Sequence, residues 1–103
     1  MTQIKTKTTG AIRQKIKRQK PHLWKVILLN DDFTSFEFVM HVFITIFNKS
    51  IDEAQALTLQ IHHEGKGVCG IYTYEIAETK RSEVLRLAKQ ELFPLQCKLI
   101  KGE

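Results

Sequence analysis

Residues 36–47 of this 103-residue chain read FEFVMHVFITIF, and nine of these twelve side chains are apolar. Glu37, His41, Thr45 and Asn48 recur at intervals of 4, 4 and 3, which puts the polar groups on one narrow helical stripe. The spacing predicts a helix over 35–48 with apolar groups around most of its circumference. Such a helix is central to a core or lines an apolar binding surface. A chain this short builds one core of modest size and has little protein to cover the helix on every side. Different faces of the same helix are therefore expected to serve both purposes.

The flanking signals place this helix in an α+β domain. HLWKVILL, His22 to Leu29, is dense in β-branched and apolar residues and reads as a strand. It stops at Asn30-Asp31-Asp32, residue types whose side chains bond nearby backbone and favour turns. Thr34 and Glu37 have the spacing of a capping box for the apolar helix. Ser50 and Glu53 repeat that signal for a second helix over 51–64, closed by Gly65. In it Ala54, Leu57 and Ile61 face the core, and Thr58 and His62 share the adjacent stripe. Residues 68–76 alternate as a strand. A third helix follows over 78–92, with Val84, Leu85, Leu87 and Ala88 buried, and Pro94 ends it before a last strand over 95–100. The order is β-α-α-β-α-β: a three-stranded antiparallel sheet packed on three helices.

Charge divides the chain at residue 21. Residues 1–20 carry seven Lys and Arg and no acid. The remaining nine basic residues face eleven acidic ones, so residues 21–103 carry a net charge of −2. The expectation is a flexible basic tail over 1–21 and a slightly acidic domain over 22–103. This distribution argues against nucleic acid as the domain's partner, although a nucleic-acid- or ribosome-associated α/β domain using the basic tail is the alternative reading. No apolar run approaches a membrane span, and no apolar segment follows the N-terminal basic residues, so a cytoplasmic protein is expected. Cys69 and Cys97 lack CxxC spacing and read as reduced thiols within strands.

Enzymatic motifs are missing. His62 and His63 are adjacent and point about 100° apart on a helix, so they do not chelate one ion together. There is no Gly-rich phosphate loop and no nucleophile in a recognisable context. No cofactor and no metal are expected.

Three segments carry a resemblance: WKVILLNDDFTSFEFV (24–39), GKGVCGIYTYEIAETK (65–80) and PLQC (94–97). In this order and spacing the chain resembles the ClpS family, adaptors that deliver proteins with a bulky apolar N-terminal residue to Clp AAA+ proteases. The resemblance covers nearly all of residues 22–101. It implies that Asn30, Asp31, Asp32 and His62 receive the α-amino group of the substrate. It also implies that Thr34, Phe36, Val39, Thr58, Ile61 and Leu95 surround the first side chain, Phe, Tyr, Trp or Leu. Glu75 and Lys80 fall where the family docks on the N-terminal domain of a ClpA-type unfoldase, and the tail where it assists delivery. A monomer without enzymatic activity is implied. Family members commonly carry Met at the positions of Phe36 and Thr58, so a reshaped pocket is expected. By residue type alone, Asn30 and Asp32 also suit a strand end and helix cap, and His62 an exposed helix end.

Overall fold

The computed structural model describes residues 22–102. The basic tail expected over 1–21 lies outside the described residues. Strand β1 (Leu23–Leu29) is central in the order β2-β1-β3, and both β2 (Lys66–Thr73) and β3 (Gln96–Lys101) pair with it antiparallel. Val26 and Leu28 alternate onto the helix-covered face and are wholly buried. A bulge between Val26 and Ile27 shifts the β1–β2 register, so Gly70 and Val68 face these two residues and Cys69 has no direct partner. Both thiols are free and buried. Burial pushes the Cys69 thiol well above its ordinary range and, as the largest influence, Cys97 up to about 12.

Helix α1 (Phe36–Thr45) carries the apolar face into the core through Phe38, Val39, Val42 and Phe43. Its N-cap is Ser35, whose hydroxyl accepts the Phe38 amide at 3.1 Å. The capping box expected from Thr34 and Glu37 is therefore corrected: Thr34 bonds Asp31 instead. The helix also ends three residues early. Asn48 turns left-handed, with φ of 55°, and Ile46 and Phe47 stay buried beyond the last turn. Lys80 Nζ donates to the Ile46 carbonyl at 2.7 Å and lies 5.8 Å from the Tyr72 ring centre. A cation there suits the negative end of the helix.

Helix α2 (Ile51–Glu64) shows both hydrogen bonds of the Ser50–Glu53 capping box, each 3.1 Å. Gly65 closes it at φ of 88°, its amide bonding the Ile61 carbonyl at 2.8 Å. Helix α3 (Tyr74–Gln90) begins four residues before the expected start, within the segment read as a strand. Tyr74 and Ile76 have strand-like chemistry, but packing decides. Tyr74 meets Trp24 edge-on at 5.1 Å, and Ala77 is wholly buried. Leu57, Leu85 and Leu87, expected in the core, are half-buried against it. Among the described residues no helix is long and apolar enough to cross a membrane.

Candidate functional site

The turn after β1 is organised by one side chain. Asp31 Oδ1 accepts the amides of Phe33 at 2.8 Å and Thr34 at 2.7 Å, and Oδ2 accepts the Thr34 hydroxyl at 2.7 Å. Burial pushes the Asp31 carboxyl up. The Thr34 hydroxyl and the two amides outweigh it and hold the group below the usual carboxylate range. Asp31 therefore builds the bend, and Asn30 and Asp32 stand exposed on either side of it. The Asn30 amide donates to the Gly65 carbonyl at 2.9 Å, tying the bend to the end of α2 three residues past His62.

Between this bend, α1 and α2 lies a cavity of about 340 Å³. Asn30, Asp31, Asp32 and His62 contribute polar groups to its lining, and Phe36, Val39, Leu59 and Ile61 contribute apolar ones. Thr34 and Thr58 complete it. Thr58 is 4% exposed, and its hydroxyl donates to the Ala54 carbonyl at 2.7 Å. The hydroxyl donor of Thr58 is thus satisfied within its own helix. Phe36 remains 40% exposed at the first turn of α1. Ile61 is seated by the bare Gly67: a Cβ there would meet Ile61 Cγ1 at 2.8 Å.

Nine of the ten residues expected around the ligand line this one cavity. Leu95 does not. It is 5% exposed and belongs to the core, one residue before β3 begins. Leu59 is the addition. Its signal was present, since an apolar residue three positions before His62 lies off the core stripe. A slightly larger concavity of about 410 Å³ involves Glu37, His41, Glu91 and an aromatic pair, Phe38 and Phe93. It shares no residue with the cavity beside the bend.

Residues 19–98 match the family described as "ATP-dependent Clp protease adaptor protein ClpS". The chain belongs to the ClpS family. A ClpS relative from Parvibaculum lavamentivorans is 53% identical over 90 residues, covering 86% of this chain and 82% of its own. One from Rhodospirillum centenum is 48% identical over 95 residues, covering 91% and 88%. Both are named ATP-dependent Clp protease adapter protein ClpS. The fold also matches the structure of Agrobacterium tumefaciens ClpS2 bound to L-phenylalaninamide. That match has a TM-score of 0.78 at 37% identity, covering 81% of this chain and all of the other. Family membership makes the chain an adaptor of Clp protease degradation. Of the two positions that the ClpS resemblance assigns to unfoldase docking, Glu75 is exposed in the first turn of α3. Lys80 is half-buried, with its ammonium engaged by the end of α1.

Proposed function

We propose that this adaptor captures polypeptides by a free α-amino group together with a bulky apolar first side chain. It then passes them to a ClpA-type AAA+ unfoldase for degradation. The supporting observation is the cavity that puts Asn30, Asp32 and His62 beside Phe36, Val39, Thr58 and Ile61. An α-amino group of pKa about 7.7–8.0 is mostly cationic at neutral pH and offers three N–H donors. The Asn30 carbonyl, the Asp32 carboxylate and a neutral His62 ring nitrogen are acceptors. Charge-assisted bonds of this kind contribute about 1.5–3 kcal/mol each. A buried Phe or Leu side chain contributes about 1.5–3 kcal/mol. After ordering costs, an affinity near micromolar, about −8 kcal/mol, is expected. L-phenylalaninamide, bound by the Agrobacterium relative, has both handles.

Binding is the whole activity in this reading; no reacting group is required. Asp31 acts by shaping the bend, because both of its oxygens are occupied there. Glu75 meets the N-terminal domain of the unfoldase, and residues 1–21 assist delivery. Phe36 is bulkier and stiffer than Met, and Thr58 is smaller, so the order of preference among Phe, Tyr, Trp and Leu is particular to this chain.

Fluorescence anisotropy with a Phe-initiated peptide, its N-acetylated twin and a Met-initiated control tests the reading. The free Phe peptide should bind at least tenfold tighter than either control. Equal binding of the acetylated twin would remove the role of Asn30, Asp32 and His62. The pocket's shape is tested by replacing Phe36 and Thr58 together with Met. An unchanged order among the four peptides would show that neither residue sets preference. Deleting residues 1–17 should impair delivery and spare peptide binding, and intact delivery would exclude the tail.

A further inference from the structure

We infer that a second hollow, about 320 Å³ and lined by Leu29, Asn30, Asp31, Phe33, Pro94 and Gln96, is a subsite for the second residue of the captured polypeptide. It takes an uncharged apolar side chain such as leucine. The inference rests on the reading of the first cavity given above.

Asn30 and Asp31 line both hollows, so the two meet at this single bend of chain. Successive side chains of an extended peptide point to opposite sides. With the first side chain in the cavity against α1 and α2, and the amino group at the bend, the second is directed across the Asn30–Asp31 wall. Leu29, Phe33 and Pro94 supply apolar atoms there.

The state of Phe33 supports this use. Its side chain is 77% exposed although it sits in an ordered turn. The backbone is fixed by Asp31, through the Phe33 amide at 2.8 Å and the Thr34 amide at 2.7 Å, with no contribution from burial of the ring. A phenyl group held open beside a hollow gains apolar contact only when something enters. Asp32, exposed on the same bend, disfavours an acidic entrant.

The test compares two labelled peptides, Phe-Leu and Phe-Gly, identical from the third residue onward, on the full chain. Phe-Leu should bind about tenfold more tightly than Phe-Gly. Phe33→Ser should reduce that ratio to within twofold, and Phe33→Tyr should keep it. The ratio is internally normalised, so a general loss of affinity does not imitate the result. Equal, tight binding of both peptides to the unaltered chain would overturn the subsite and leave the first cavity standing. A ratio unchanged by Phe33→Ser would overturn it too. If neither peptide exceeds a Met-initiated control, the first-cavity reading fails and the subsite falls with it.

Discussion

The amide of Asn30 and the carbonyl of Gly65 are joined by a 2.9 Å hydrogen bond, which sets the spacing between the bend after β1 and the His62 turn of α2. Gly65 makes that bond while its φ is 88°, where any L side chain is strained. Its Cβ position is open, with nothing within 4 Å, so a substitution there tests conformation without a clash.

Gly65→Ala should therefore cost about 1 kcal/mol. In a domain of this size that is a fall of about 4–8 °C in thermal midpoint. Affinity for a Phe-initiated peptide should fall too, because the carbonyl that anchors Asn30 moves with the strained residue. Calorimetry and anisotropy on the same sample check both. An unshifted midpoint would remove the conformational account.

Asp31 should show its latch role in a titration. Its folded carboxyl lies below the ordinary value of about 3.9. The unfolded chain thus binds the proton more readily, and the Asp31 contribution is fully present above that ordinary value. It is lost as pH falls through the lowered folded value. Carboxyl-carbon NMR should give a midpoint below the ordinary one, and Thr34→Val, which removes the hydroxyl donor, should raise it. A midpoint at or above the ordinary value contradicts the latch.

Beyond the end of helix α3, Leu92 closes the turn at φ of 60°, the Phe93 amide bonding the Ala88 carbonyl at 2.9 Å and the Leu92 amide bonding the Lys89 carbonyl at 3.2 Å. This pattern of helix closure is usually built on glycine. The Leu92 side chain is 89% exposed, so removing it sacrifices almost no burial. Leu92→Gly should stabilise the domain by about 0.5–1 kcal/mol after the added freedom of the unfolded chain is counted. Chemical denaturation measures it, and a lower midpoint would contradict the account.

Lys80 holds the end of α1 at the same time as it occupies a position proposed for unfoldase docking. Lys80→Met should cost about 1–2 kcal/mol through the lost charged hydrogen bond. Any docking defect in that variant then has two sources. Glu75→Gln comes close to having only one, because the Glu75 carboxylate is exposed in the first turn of α3 and makes no side-chain contact among the described hydrogen bonds and ion pairs. Denaturation midpoints should fall clearly for Lys80→Met and much less for Glu75→Gln, which removes only an exposed first-turn charge. The reverse pattern would refute this division of roles.

What was legible in the chain followed from local chemistry with one reading. The Ser50–Glu53 pair and Gly65 bound α2 where their capping logic puts them, and the stripe of Glu37, His41 and Thr45 is the exposed side of α1. Most of the cavity was legible only through the ClpS resemblance, because by residue type alone Asn30 and Asp32 equally suit a strand end and helix cap, and His62 an exposed helix end. Where two local solutions competed, tertiary contacts chose. Thr34 and Ser35 both suit a cap, and the claim of Asp31 on the Thr34 hydroxyl left Ser35 to do it. The strand-like Tyr74-Glu75-Ile76 became helix because Trp24 and the buried Ala77 needed that geometry. The second task of Lys80 depends on a partner 34 residues away, and the inward turn of Leu95 on the assembled core, and no local pattern encodes either.

The carboxylate of Asp31 has a consequence for timing. Because the bend is held before any guest comes, little rearrangement stands between encounter and capture. Suitable and unsuitable termini should then arrive at comparable rates, and discrimination should reside in how long each one stays. An adaptor that selects by dwell time sheds the wrong cargo without expending nucleotide on it.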